Sequence, residues 1–193
     1  MVLEPWISGF KRTALSAFRD AQLAAAALPR VGFAMGTDIG DPTGPFGSVH
    51  PRNKKLVGRR LANAALTLQY GTPLPWQPPA YASATAAGAG AGATALVTLS
   101  GVPTTLALAA DHCKTELKVD AAQCAGFYLV GSDGQQYAAA AALGGAPNTV
   151  ALAAALPPGV RVAGTTFGYS TWPINTVMSA EGLPLMPWNT TLL

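Results

Sequence analysis

The sequence has few charged residues and few of the residue types that hold metal ions. Only 11% of its 193 residues are charged, and it contains two histidines and two cysteines. These four residues, His50, His112, Cys113 and Cys124, do not have the spacing of a zinc site. We therefore expect no metal and no cofactor.

The chain also has no long apolar run and no concentrated basic surface with aromatic residues. Its alanine-rich runs, 82–95 and 138–156, are interrupted by Gly, Pro or Asn, so we expect no membrane span. The first ten residues lack a basic flank and a long apolar core, so no signal peptide is expected there. Residues 1–71 contain nine Lys/Arg and four Asp/Glu, but without an aromatic platform this excess does not indicate nucleic acid binding.

Residues 1–71 have the pattern helix, strand, loop, helix. The apolar run 31–36 has the length of a strand, and helical periodicity continues from Pro51 to Tyr70, with Gly71 where a helix ends. The first helix has an apolar face that ends before Pro29, formed by Ile7, Phe10, Ala14, Ala17, Phe18, Ala21, Ala25 and Leu28. A single strand leaves its edges unpaired, so we interpret 1–71 as the last α-β-α portion of a larger α/β domain.

The composition changes twice after residue 71. Residues 72–92 are rich in Pro, Ala and Gly, which favours a linker. Residues 93–193 contain about six short apolar runs separated by turn residues, including the hairpin signal Ser132-Asp133-Gly134. This spacing predicts a β-sandwich. The predicted fold class is therefore α/β followed by β.

His50 is the strongest candidate for a catalytic residue. It ends a Gly/Pro-rich loop and precedes Pro51, which is favoured at the first position of a helix. A neutral imidazole in such a place can act as a general base near neutral pH. A histidine here can also serve only to cap the helix.

The residues around His50 resemble a known family. The run 44–61, Gly-Pro-Phe-Gly-Ser-Val-His-Pro-Arg-Asn-Lys-Lys-Leu-Val-Gly-Arg-Arg-Leu, is similar to the histidine block of sialate O-acetylesterases. These are serine esterases of the SGNH-hydrolase fold that remove acetyl groups from sialic acid. Three later segments agree with the family in the same order: Asp111-His112-Cys113-Lys114, 169–173 and 182–188.

The resemblance implies that His50 is the catalytic base and that the substrate is O-acetylated sialic acid or a related acetylated sugar. It also implies that 1–71 is the end of an SGNH-type domain and that the protein works in lysosomes or outside the cell. In those compartments a disulfide between Cys113 and Cys124 is favoured over two free thiols.

Two parts of a serine esterase site are missing or open to question. The chain contains neither a Gly-x-Ser-x-Gly elbow nor a Gly-Asp-Ser or Gly-Gln-Ser block, and Ser48 is better explained as a turn residue than as a nucleophile. Gly47 stands where many SGNH enzymes have the aspartate that orients the histidine. Asp41 is our preferred substitute, ahead of Asp38, although both also have the spacing of turn formers.

Two hypotheses follow. In the first, the chain is the C-terminal part of a sialate O-acetylesterase, needs the N-terminal esterase region with its serine, and is inactive alone. In the second, it is a truncated or diverged non-catalytic relative whose β-sandwich binds glycan or a protein partner. The coding sequence upstream of Met1 would distinguish them.

Overall fold

The computed structural model describes residues 2–3, 14–40, 44–46, 50–102, 104–108, 126–170, 173 and 175–192. The chain divides into two compact units. The first unit consists of Met1–Pro78 and Ser170–Pro173, and the second of Pro79–Tyr169 and Ile174–Leu193.

The first unit contains the helices of the protein. Its elements are strand β1 (Val2–Leu3), helix α1 (Ala14–Ala24) with a short 3-10 turn (Ala25–Ala27), strand β2 (Ala34–Met35) and helix α2 (Lys54–Tyr70). β1 pairs with β2 in parallel, Val2 opposite Ala34 and Leu3 opposite Met35. Of the predicted strand 31–36, only Ala34 and Met35, in its second half, are a strand.

Helix α1 buries a different face from the one predicted. Leu15, Ser16 and Arg19 are buried, whereas the predicted core residues Phe18 and Leu28 are 50% and 61% exposed. The polar side chains of Ser16 and Arg19 face inward because both donate hydrogen bonds to the Ser170 carbonyl oxygen, at 3.3 and 2.7 Å. These bonds hold the polar side chains inward, where an unpaired donor would be costly.

Helix α2 starts later than predicted and ends where predicted. Its first residue is Lys54, and the Asn53 side chain caps it by accepting a hydrogen bond from the Leu56 N–H at 3.3 Å. Asparagine supplies the acceptor that a first helical turn needs, so the cap lies at Asn53 and Pro51 precedes it. The predicted end is confirmed, because Gly71 caps the helix in the left-handed conformation (φ 71°).

The second unit is built from antiparallel strands. The strands are β3 (Ala80–Ala87), β4 (Ala93–Ser100), β5 (Leu106–Leu108), β6 (Phe127–Gly131), β7 (Gln136–Ala138), β8 (Ala140–Leu143), β9 (Thr149–Ala154), β10 (Val162–Phe167), β11 (Val177–Ser179) and β12 (Trp188–Thr191). Four of them form one sheet in the order β3-β4-β9-β8, four form another in the order β12-β10-β6-β7, and β11 pairs with β5.

One apolar core joins the two four-stranded sheets. Val97 and Leu152 of the first sheet and Leu129 of the second are at most 1% exposed and belong to the same cluster. At its centre the Phe127 and Phe167 rings lie 4.3 Å apart between centroids. Two antiparallel sheets around one core are the architecture predicted for 93–193.

Strand β3 lies inside the segment predicted as a linker, 72–92. It pairs with β4 from Ala80 opposite Ser100 to Ala87 opposite Thr94. Alanine-rich sequence gives a weak strand signal, but main-chain pairing does not depend on bulky side chains. The turn that follows needs glycine, because Gly88 has φ 74° and a side chain there would collide with the Gly92 carbonyl oxygen.

The predicted run 137–142 contributes to two sheets rather than one strand. β7 pairs with β6, and β8 pairs with β9. The intervening Ala139 is buried and its N–H donates to the Phe127 carbonyl oxygen at 3.0 Å. The hairpin signal at 132–134 is confirmed, since it joins β6 to β7 with Gly134 at φ 77°.

Candidate active site

His50 lies between strand β2 and helix α2 and is exposed to solvent. It stands three residues before the Asn53 cap, so it precedes the helix rather than starting it. Among the described residues, none hydrogen-bonds to its imidazole. An exposed imidazole is accessible to a substrate and to a nucleophile carried by another segment.

Asp38, the second choice for the carboxylate that orients His50, binds an arginine instead. Arg60 donates from Nη1 to Asp38 Oδ1 at 2.7 Å and from Nη2 to Oδ2 at 2.8 Å. Arg60 Nη1 also donates to the Met35 carbonyl oxygen at 2.8 Å. Paired bonds of this kind fix both the distance and the orientation of the two groups.

Arg60 was missed as a site residue because the basic residues that precede it in the same helix, Lys54, Lys55 and Arg59, are exposed. Helical periodicity over 51–70 predicts a polar, solvent-facing position for Arg60, but its side chain is only 3% exposed. The signal was present in the spacing: Val57, Arg60 and Ala64 share one helix face, and all three are buried. A cation between two buried apolar positions of a helix indicates a buried partner.

The loop that leads from β2 also contains a buried hydroxyl. Thr37 is 2% exposed, and within the described part of the chain its Oγ1 has no hydrogen-bond partner. It lies between Met35 and Asp38 in the sequence, just after the carboxyl end of β2. Such ends are where ligands bind in α/β domains.

Several predicted residues lie outside the described residues: Asp41, Ser48, His112, Cys113 and Cys124. Their roles stay predictions. The segment 169–173 is described in part, and its Ser170 carbonyl accepts the hydrogen bonds from helix α1. In the segment 182–188, Leu183, Leu185 and Trp188 are buried, so these residues stabilise the second unit.

A small groove lies between helix α2 and the segment before β2. It has a volume of about 210 Å³, and His50 is not among the described residues that line it. Its lining is Arg30, Gly32, Leu61, Ala64, Ala65, Leu68 and Gln69. The exposed position of His50 is therefore separate from this groove.

The described residues offer neither a metal site nor a membrane-spanning helix. No group of three or more His, Cys, Asp or Glu within this part of the chain is arranged to hold a metal ion. None of the helices described is both long and apolar enough to cross a membrane.

The whole chain is similar to a solved esterase. No protein family model matches it, and no curated protein sequence does either. A crystal structure of a carbohydrate acetylesterase from Xanthomonas citri superposes on 98% of this chain with a TM-score of 0.74 and 25% sequence identity. The chain spans 40% of the length of that protein. It therefore has the fold of part of a carbohydrate acetylesterase.

Proposed function

We propose that this chain is the C-terminal part of a sialate O-acetylesterase and supplies the catalytic base, His50. The observation that carries the proposal is the likeness to a carbohydrate acetylesterase over 98% of the chain. The histidine block 44–61 supports the narrower assignment to sialic acid. The chain spans only 40% of the length of that acetylesterase, which supports the proposal that it is a piece of a longer enzyme.

The reaction is the hydrolysis of an acetyl ester. A serine from the N-terminal esterase region attacks the acetyl carbonyl, and His50 accepts its proton. The protonated imidazole then gives that proton to the sugar oxygen as the ester C–O bond breaks, which releases the sugar hydroxyl and leaves an acetyl-serine. His50 next takes a proton from water, and the resulting hydroxide attacks the acetyl carbonyl. The imidazole returns this proton to the serine oxygen as the acetyl–serine bond breaks and acetate leaves.

The location of His50 supports this role. It lies on the loop that leaves the carboxyl end of β2, and its side chain is exposed. Catalytic residues on such loops are held by the strand and helix on either side while remaining open to the substrate. Because both Asp38 oxygens accept bonds from Arg60, Asp41 is the better candidate for the carboxylate that orients the imidazole.

The proposal extends to partners and compartment. The chain needs the N-terminal esterase region to complete its site, and it uses no cofactor. The family resemblance favours a lysosomal or extracellular location.

The test is an enzyme restored to full length by adding the upstream region. His50→Ala should lower kcat for acetate release from O-acetylated sialic acid by several orders of magnitude, because triad members act as a unit. His112→Ala, at the other histidine of the chain, is the matched control and should stay close to the unchanged enzyme. The chain alone, without the upstream region, should not hydrolyse p-nitrophenyl acetate above its His50→Ala variant.

Two results would contradict the proposal. A full-length His50→Ala enzyme with near-normal kcat would show that His50 is not the base. Rapid hydrolysis of acetylated neutral sugars with no turnover of O-acetylated sialic acid would agree with the proposed esterase activity but exclude sialic acid as the substrate.

A further inference from the structure

The ion pair between Arg60 and Asp38 is buried and has no part in the proposed reaction. The Arg60 and Asp38 side chains are only 3% and 10% exposed. Removing a guanidinium and a carboxylate from water is costly, and apolar residues of similar size are often at least as stabilising. Stability alone therefore does not explain the pair, whereas the fixed geometry of a paired contact does.

The pair joins the two ends of the segment that carries His50. That segment leaves strand β2 after Met35, and it enters helix α2 at Lys54. Arg60 lies six residues into the helix, about 9 Å along its axis. From there it binds the Met35 carbonyl oxygen and both Asp38 oxygens, which belong to the start of the segment.

The chain between His50 and Arg60 is well held. Pro51, next to His50, is buried and has a restricted φ. The Asn53 cap then fixes the first turn of α2. A change in the position of α2 relative to the end of β2 is therefore transmitted to His50.

We propose that Arg60 and Asp38 are positioning residues that set the place of His50 by holding helix α2 against the end of strand β2. The catalytic consequence rests on the proposed function. The structural consequence, an effect of Arg60 on the His50 imidazole, does not depend on it.

The first experiment measures the NMR ring resonances of the His50 imidazole in this chain, without the upstream region. The chain has two histidines, so the ring resonances of His50 in an NMR spectrum are assigned with a His112→Gln variant. Arg60→Lys keeps the charge but not the paired bonds, and it should shift or broaden the His50 resonances while those of His112 stay in place. Asp38→Asn should do the same.

The neighbouring arginine supplies the control. Arg59 is exposed on the same helix, so Arg59→Lys makes the same chemical change without touching the pair. It should leave both histidines unchanged. A folded Arg60→Lys or Asp38→Asn protein with His50 resonances identical to the unchanged chain would overturn the proposal. Thermal unfolding of each variant establishes which of them is folded, and either one is sufficient.

The second experiment measures kinetics in the full-length enzyme. Arg60→Lys should lower kcat by about 10- to 100-fold, with KM within about twofold, because a misplaced base impairs the chemical step more than substrate binding. Arg59→Lys should leave both constants unchanged. A loss confined to KM, or no loss in kcat, would overturn the catalytic part.

The two experiments separate the two proposals. If His50→Ala is fully active while Arg60→Lys still moves the His50 resonances, the proposed function fails and the positioning role stands. If His50→Ala is inactive while Arg60→Lys changes neither the resonances nor kcat, the positioning role fails and the proposed function stands.

Discussion

The two units bury different kinds of polar side chain. Among the described residues, the buried polar side chains of the second unit are all neutral: Thr149, Thr165, Thr166, Asn175, Thr176 and Ser179. The first unit buries two arginines, Arg19 and Arg60, together with Ser16 and Thr37. The second unit is therefore held by apolar packing around uncharged hydrogen bonds, whereas the first depends on charged groups that must find partners.

Apolar exposure differs in the same direction. Of the seven large apolar side chains that the structure describes as exposed, five belong to the first unit: Phe18, Leu28, Phe46, Leu66 and Tyr70. The second unit exposes only Leu96 and Leu143 among its described residues. The first unit thus buries two arginines and exposes five large apolar side chains, whereas the second buries no charged side chain and exposes two large apolar ones, among the described residues.

Expressing the units separately tests this comparison with the largest expected effect. Residues 79–193 contain both four-stranded sheets and their core, so we expect a cooperative thermal transition and dispersed NMR resonances. Residues 1–78 lack Ser170, which accepts the bonds of Ser16 and Arg19, and we expect them to be largely unfolded. A cooperative transition in 1–78 would contradict the proposed difference in stability between the two units.

A Leu→Ala substitution in each unit should change stability less than separating the units does. Leu129→Ala removes a side chain that is 0% exposed and should lower the free energy of unfolding by about 2–5 kcal/mol. Leu28→Ala, at a position 61% exposed, should change it by no more than about 0.5 kcal/mol. Urea unfolding of both variants measures the difference, and equal losses would contradict it.

The smallest expected effect concerns a pair on the surface of the second unit. The Tyr137 hydroxyl donates to Asp133 at 2.6 Å and, with the Gln135 N–H, holds the pKa of this carboxyl below its ordinary value of 3.8. The same bond raises the pKa of Tyr137 above its ordinary value of 10.0. Because solvent screens this pair, its contribution to stability is small.

The direction of each pKa shift sets the pH range of that contribution. A lowered carboxyl pKa means that the contribution is present above pH 3.8 and is lost as the pH falls through the folded value. A raised phenol pKa means that it is present below pH 10.0 and is lost above it. Tyr137→Phe should therefore lower Tm slightly at pH 7 and by less at pH 2. A constant difference in Tm across this range would contradict the assignment.

The sequence predicted features that depend on a few adjacent residues. Gly71 ends helix α2 because glycine adopts the left-handed conformation without strain, and Ser132-Asp133-Gly134 turns a hairpin for the same reason. His50 was placed correctly between a strand and a helix. The start of α2 was placed too early because Pro51 and Asn53 are both acceptable near a helix start, and the Asn53 hydrogen bond decides between them.

Features that depend on distant partners were not predicted. The inward face of α1 is chosen by the Ser170 carbonyl, about 150 residues away in sequence. The alanine-rich sequence of β3 predicts a strand only weakly, and the strand is formed by its main-chain pairing with β4. The division of 137–142 between two sheets depends on where β6 and β9 lie.

The sequence by itself determined the turns, the helix end, the antiparallel character of the second unit and the place of a histidine, in esterase-like sequence, between a strand and a helix. Only the tertiary structure decided that Arg60 is buried against Asp38 and Met35, and therefore that Asp38 is committed to an arginine. The physical reason is that local conformation follows from neighbouring residues, whereas the burial of a charge is favourable only where a partner far along the chain supplies the opposite charge.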